Sequence, residues 1–353
     1  MRYNAGQKSF KTESEGARLR TDLAMRVRET ELVEKIHRVL GRRHETSREV
    51  RLGMGDDAAL FRAREGQEII LTCDWFLEGT HFLRDKHRPL SVGWKCLARA
   101  VSDIAAMGGV PRCFLLSLAL PVSHTGRWLD EFLTGLRRAS RKFRCPLAGG
   151  DTTRRNEVLI SVTVAGDAPA DSAMLRSGAR PGELVYVSGR LGEADLGLQL
   201  LKRSKTAAKS ANPLIRKHLY PEPRLALGQW LAQKRLATAM MDISDGLSSD
   251  LPRLCAAGGV GAWLESARIP QAGDGDIARK YGLDPLELAL HGGDDYELLF
   301  TVPPHKAKVL PKSFRGVMLT PVGRITKGPN VVVGEENGRE RPLVAGGWDP
   351  FQR

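Results

Sequence analysis

The sequence predicts a mixed α/β (α+β) chain built as two domains. Three observations carry this reading. A length of 353 residues is enough for two domains of ordinary size. Short apolar runs of strand character alternate with helix-period segments along most of the chain. A stretch rich in Ala, Pro, Gly and Ser, residues 167–182, divides the two halves as a junction. The expected layout is a basic leader over residues 1–30, a first domain over 31–168 and a second over 169–353.

Taken in order, residues 1–25 are polar and aperiodic and read as a tail. Residues 31–40 place Leu32, Val33, Ile36 and Leu40 on one side of an amphipathic helix. Residues 51–61 and 68–74 read as strand-and-turn segments. A helix spans 89–107, opened by Pro89 and stopped by Gly108-Gly109. Residues 113–120 form an apolar strand ended by Pro121, residues 128–144 a second helix and residues 158–164 a further strand. Beyond the junction, strands are expected at 184–187, 239–243 and 297–302, and helices at 193–201 and 225–236. Pro221-Glu222-Pro223 separates those two helices. Each half alternates strands with helices and sets Gly/Asp turns at strand ends.

Composition narrows the function classes. No apolar run approaches the roughly 18–20 residues of a membrane span, and no apolar h-region marks a secretory signal. The five cysteines are scattered without C-x-x-C spacing, which disfavours zinc or a disulfide framework and fits a reducing cytoplasm. The net charge of +13 allows nucleic acid, an anionic surface or an anionic small substrate. Part of that charge lies in the first fifty residues with no aromatic residues interleaved, so a single-strand stacking platform is not indicated.

The chemistry is carried by aspartates. They occur as Gly55-Asp56-Asp57-Ala58-Ala59, Thr72-Cys73-Asp74, Ser102-Asp103, Gly149-Gly150-Asp151-Thr152-Thr153, Asp242-Ile243-Ser244-Asp245-Gly246 and Gly292-Gly293-Asp294-Asp295. Any one of these alone reads as a plain turn. Together, and mostly at the ends of apolar strands, they point to a cleft in which carboxylates converge. Converging carboxylates repel unless a hard cation joins them, and Mg²⁺ takes oxygen ligands together with substrate phosphates. The glycines beside them let the backbone approach phosphate groups. No P-loop, protein-kinase loop set, Ser–His–Asp arrangement or histidine metal spacing is present. Lys95, Arg99 and Asp103 recur at i, i+4 and i+8 on the 89–107 helix, either as an exposed ion-pair ladder or with Asp103 on metal and Lys95 near phosphate.

In combination, these motifs resemble the thiamine-monophosphate kinase family, within the group that includes aminoimidazole-ribonucleotide synthetase and selenophosphate synthetase. The resemblance spans residues 31–348 and also rests on Glu78-Gly79-Thr80-His81-Phe82, Leu175-Arg176-Ser177-Gly178 and Asp294-Asp295-Tyr296-Glu297-Leu298. It implies that Asp57, Thr72, Cys73, Asp74, Asp103, Asp151, Asp242 and Asp245 hold several Mg²⁺ ions, with Cys73 ligating only if its backbone does so. It implies ATP contacts at Gly150, Asp151, Arg176, Ser244 and Lys95, and thiamine-monophosphate contacts at His81, Asp294 and Trp348. His81 and Trp348 read equally as a partly buried histidine and a C-terminal hydrophobic plug. The implied fold has the N-terminal domains of a homodimer pairing into an intersubunit β-barrel. The implied reaction is direct in-line phosphoryl transfer with no protein nucleophile or base, in a cytoplasmic enzyme without membrane or nucleic-acid partners. Other members of the same group, or a silent nucleotide- or nucleic-acid-binding protein, are the alternatives. No cysteine precedes Cys73, which disfavours selenophosphate synthesis, and a steep salt dependence of binding to random nucleic acid would mark the last of these.

Overall fold

The computed structural model describes residues 29–41, 48–54, 58–204 and 212–351. Most of the basic leader and the Gly55-Asp56-Asp57 motif lie outside them.

Among the described residues the first element is helix α1 (Glu29–Leu40), whose Glu29 and Glu31 sit favourably at its positive N-terminal end. Leu32, Ile36 and Leu40 bury along the i, i+4, i+8 stripe, whereas Val33 lies off that stripe and is 43% exposed. A small antiparallel pair, β1 (Val50–Leu52) and β2 (Leu60–Phe61), follows. The first domain is then β3 (Gln67–Leu77), α2 (Pro89–Ala106), β4 (Val110–Leu120), α3 (Arg127–Phe143), β5 (Leu147–Arg154) and β6 (Leu159–Pro169). Its four strands run in the order β3-β6-β4-β5, with β4 and β5 parallel and the other pairs antiparallel. Strand β3 is longer than expected because the alternation continues through Trp75-Phe76-Leu77. Strand β6 extends into the expected junction: Asp167 and Ala168 pair with Ile69 and Glu68. Composition does not reveal that pairing, in which the buried Asp167 carboxylate is met by the Arg112 guanidinium at 2.8 Å.

The second domain contains β7 (Leu184–Ser188), α4 (Glu193–Arg203), α5 (Pro213–Leu219), α6 (Leu225–Gln233), β8 (Ala239–Ile243), α7 (Leu247–Gly258) and β9 (Gly261–Glu265). It continues through α8 (Asp276–Lys280), α9 (Pro285–His291), β10 (Glu297–Val302), α10 (Pro304–Ala307), β11 (Ser313–Phe314), β12 (Val317–Thr326), β13 (Val331–Gly334) and β14 (Glu340–Pro342). The sheet order is β14-β13-β9-β12-β7-β10-β8, with β11 on β12. Helix α6 stops short of the expected residue 236 because Arg235 turns left-handed, at φ 49°.

Helix α2 organises both halves. It is buried nearly all round, with apolar side chains such as Leu97, Val101 and Ile104 in the first domain's core. Its C-terminal Ala106 packs with Leu227, Leu231, Met240 and Phe300 of the second domain. The helix therefore carries its polar residues into the seam between the domains. Among the described residues no helix is long and apolar enough to cross a membrane.

Candidate active site

The period of β3 separates its side chains. Ile70, Thr72, Asp74 and Phe76 face α2, while Ile69, Leu71, Cys73 and Trp75 face outward and are exposed. On the inner side Thr72 donates a short hydrogen bond to the Asp103 carboxylate. One helix position earlier, Ser102 Oγ donates to Asp242 Oδ2 at 2.7 Å, reaching the end of β8. Burial pushes the Asp74 carboxyl up to about 6, with Asp103 and Asp245 repelling its charge and Arg99 opposing them. Burial also raises Asp103, and burial together with repulsion from Asp103 raises Asp242. A pocket of ≈ 420 Å³ opens beside this group. Thr72, Asp103, Asp242 and Arg176 form its polar end, and Leu71, Met107, Met174 and Leu175 belong to its apolar wall. A flat apolar base with a phosphate tail matches that polarity.

A second pocket, of ≈ 290 Å³, is lined by His81, Arg99, Ser244, Asp245, Asp294 and Trp348, among others. The His81 and Trp348 rings stand 6.4 Å apart. His81 Nδ1 accepts the Leu77 backbone N–H at 3.0 Å, and burial followed by the nearby Arg99 charge lowers its pKa to about 4. The ring is therefore neutral and carries its proton on Nε2. Trp348 is held by its own backbone, which donates to Asp245 O at 2.9 Å. Gly347 permits that approach, since a Cβ there would stand 2.1 Å from the same oxygen.

Buried carboxylates shape the walls. Asp250 accepts the backbone N–H groups of Ser244, Asp245 and Gly246 at 3.0–3.1 Å and so folds the whole loop. Asp295 accepts from Gly192 and Ala194 at the start of α4. Glu297 takes Lys217 of α5 and Arg224 next to α6. One short motif thus ties down α4 and α5, which line the second pocket, and the start of α6 beyond them. Asp294 and Tyr296 flank Asp295 with positive φ of 67° and 51°, a strained pair of the kind that tertiary contacts must hold.

Comparison with known proteins bears on this geometry. The model of the AIR synthase related protein N-terminal domain matches residues 55–168, and that of the C-terminal domain matches residues 180–335. The thiamine-monophosphate kinase of Escherichia coli (strain K12) is 37% identical over 310 residues, covering 86% of this chain and 93% of that one. The chain belongs to the thiamine-monophosphate kinase family. A crystal structure of the thiamine-monophosphate kinase from Stenotrophomonas maltophilia K279a aligns at TM-score 0.75 and 33% identity, over 86% of this chain and 95% of that one. The AaThiL complex with AMPPCP and TMP aligns at TM-score 0.72 and 33% identity, over 92% and 97%.

Set against the residues that the family resemblance implies, the structure gathers most of them and separates some. Thr72, Asp103, Asp242 and Arg176 share one pocket; His81, Ser244, Asp245, Asp294 and Trp348 share the other. Asp57 lies outside the described residues. The Cys73 side chain is on the outer face, with Sγ 3.4 Å from Ser161 Oγ, so only its backbone is available to an ion near Asp74. Asp151 is in register with Ser117, Ser161 and Trp75 and shares their outer face. It lies three strands from β3, about 14 Å at the usual strand spacing. The adjacent Gly150 is sterically required, because a Cβ would stand 1.9 Å from Leu116 O. Lys95 is not at the nucleotide pocket: it is 1% exposed and its Nζ meets Asp294 Oδ2 at 2.8 Å. An exposed ion-pair ladder on α2 is excluded by that burial. Arg99, whose place in the second pocket local sequence could not show, reaches Asp294 Oδ1 at 3.6 Å, and its charge acts on Asp74 and Asp245 as well. Its Nε is buried without a hydrogen-bond partner among the described residues, a donor left for a ligand. Tyr296 and His218 were also not singled out; Tyr296 OH donates to Asp294 at 2.7 Å, and His218 comes from a helix with no local signal of its role.

Among the described residues no three His, Cys, Asp or Glu side chains are grouped to hold one ion. The donor set is nonetheless oxygen-only, and its carboxylates repel one another. Mg²⁺ needs just one or two carboxylates per ion when phosphate and water complete its shell, so these residues fit it.

Proposed function

We propose that the chain phosphorylates thiamine monophosphate to thiamine diphosphate at the expense of ATP, with Mg²⁺. The observation that carries this reading is a pair of pockets, one apolar with Asp103 and Asp242 at its polar end and one aromatic and charged with Asp245 in its lining, whose carboxylates repel one another through Asp74. ATP takes the first, with its base on the Leu71–Met174–Leu175 wall and its phosphates toward Arg176 and Thr72. The acceptor takes the second, with its cationic ring between His81 and Trp348. The acceptor phosphate has a second pKa of about 6 and is largely dianionic near neutral pH, so it needs no base. It must instead approach another anion. Arg99 lies where the two phosphates meet and offsets their charge. Mg²⁺ held by Asp74, Asp103, Asp242 and Asp245 would supply the remaining charge neutralisation. Asp250 keeps Ser244 and Asp245 in place.

The direct test follows thiamine diphosphate formation from thiamine monophosphate, ATP and Mg²⁺. Product that depends on all three is expected, and no product would end the reading. Trp348→Ala should raise the KM for thiamine monophosphate about two- to thirty-fold, as loss of a ~0.5–2 kcal/mol cation stack implies, with little change in the KM for ATP. Equal changes for both substrates, or loss of folding, would make Trp348 a structural plug.

The same reading includes a cytoplasmic homodimer paired through the outer face of the first sheet. Leu71, Trp75 and Leu115 of that face are 69%, 57% and 42% exposed, an apolar patch that association would cover. Gly150 and Asp151 belong to this side, which puts them at the pairing surface. Light scattering at micromolar concentration should give a dimer mass and Leu71→Lys with Trp75→Lys a monomer mass; a wild-type monomer would refute the pairing.

A further inference from the structure

Along the wall of the acceptor pocket, which His87 and His218 help to line with Lys95 behind them, lies a chain of buried polar groups that the phosphoryl transfer does not itself require. Lys95 and His218 are each 1% exposed and His87 is 4% exposed. The Leu83 backbone N–H donates to His87 Nδ1 at 3.0 Å. A backbone amide cannot reverse that bond, so a neutral His87 carries its proton on Nε2. His87 Nε2 lies 3.0 Å from His218 Nε2 and donates to it. His218 must then hold its proton on Nδ1, the nitrogen that faces Asp294 Oδ2 at 3.9 Å. Lys95 Nζ stands beside this nitrogen at 3.3 Å and donates to the same Asp294 oxygen at 2.8 Å. Burial alone would make the Asp294 carboxylate costly, yet Lys95 and Arg99 hold its pKa well below the usual range. The hydrogen-bond directions are thus set from the Leu83 amide as far as His218 Nε2, and the hydrogen bond that reaches Asp294 is donated by Lys95, packed 3.3–3.5 Å from both His218 ring nitrogens.

We propose that Lys95 and His218 are positioning residues for acceptor recognition, acting through Asp294. Lys95 holds Oδ2 of that carboxylate with His218 packed against the ammonium, Tyr296 donates to Oδ1, and the edge of the carboxylate that lines the pocket is left to a donor group of the thiamine-like acceptor. Neither residue lines the nucleotide pocket. This rests on the functional reading above, because it assigns a task within the same site. The orientation costs little when the ligand binds, since the carboxylate is already held.

The test compares steady-state KM and kcat for both substrates in the wild type, Lys95→Met, His218→Leu, Asp294→Asn and the Lys95→Met/Asp294→Asn pair. Lys95→Met should raise the KM for thiamine monophosphate about ten-fold or more, the scale of a lost charge-assisted hydrogen bond, with the KM for Mg²⁺-ATP unchanged. His218→Leu should move the same constant in the same direction. If removing Lys95 alone prevents folding, the double variant still decides, because it removes the stranded charge as well. Its acceptor KM should match that of Asp294→Asn alone, as coupling through one carboxylate requires. A double variant worse than Asp294→Asn would overturn the proposal, as would Lys95→Met that melts lower but keeps its acceptor KM. Those results leave the kinase reading standing. Wild-type protein that binds Mg²⁺-ATP but neither binds nor phosphorylates thiamine monophosphate would overturn both.

Discussion

Asp74→Asn is expected to lower kcat by about 10²–10³-fold or more without unfolding the protein, on the scale of losing one electrostatic partner of a phosphoryl transition state. The substitution keeps the size of the side chain and most of its hydrogen bonding and removes one negative charge. Asp74 sits on the inner face of β3, half-buried, with Asp103 and Asp245 repelling it and only Arg99 opposing that repulsion. In the ligand-free protein the charge is therefore a cost, and the variant's Tm without metal should hold or rise. With Mg²⁺-ATP the order should reverse. A ligand that binds only the folded state stabilises by mass action, so the wild type should gain far more than the variant. A turn residue would behave differently, since Asn turns as well as Asp and neither activity nor the ligand-induced shift would change. Near-normal kcat together with a normal Mg²⁺-ATP shift would remove Asp74 from the metal site.

What the sequence revealed divides along physical lines. Strands β8 and β10 are short, fully buried and bounded by Gly/Asp turns, and their expected limits agree with the structure. Helix α2 was equally legible, because Pro89 opens it and Gly108-Gly109 follows it. Strands β9, β12, β13 and β14 were not anticipated. β12 carries Pro321 and a register shift between Pro321 and Gly323, which break the alternation that pattern reading needs. Within the site, Thr72, Asp74, Asp103 and Asp242 were visible as residue types beside turns. Which side they occupy was not visible as a shared site until the sheets were assembled. The same two-residue period that brings Thr72 and Asp74 inward carries Cys73 outward, and three strands of register put Asp151 on that outer face. Lys95 could not be placed from spacing alone, because its partner Asp294 is 199 positions away along the chain.

Replacing Arg99 should produce the other large effect. Arg99→Met is expected to reduce kcat by about 10²–10³-fold, in the range found when a cation that offsets transferring phosphoryl charge is removed. Arg99→Lys should recover part of that loss, because it restores the charge but not the planar fork. Arg99 comes from the α2 face that also carries Lys95 and Asp103, and its guanidinium stands 5.6 Å from the centre of the Phe76 ring. Burial opposes its charge, but the carboxylates of Asp294, Asp74 and Asp245 hold it charged. Asp294 and Asp245 line the second pocket with Arg99, and the Arg99 charge also acts on Asp103 of the first pocket, so its field reaches both. A stability cost accompanies its removal, since Asp74 and Asp245 lose an opposing charge, and Arg99→Lys should lessen that cost too. The Tm and the kcat must therefore be measured on the same samples. If Arg99 acts only as a structural counter-ion, the Lys variant will recover stability and activity in parallel. If it acts on the phosphates, Arg99→Lys will regain most of the Tm while kcat stays well below wild type. Full recovery of kcat in Arg99→Lys would show that a point charge suffices and that the buried, unpartnered Nε has no task in transfer.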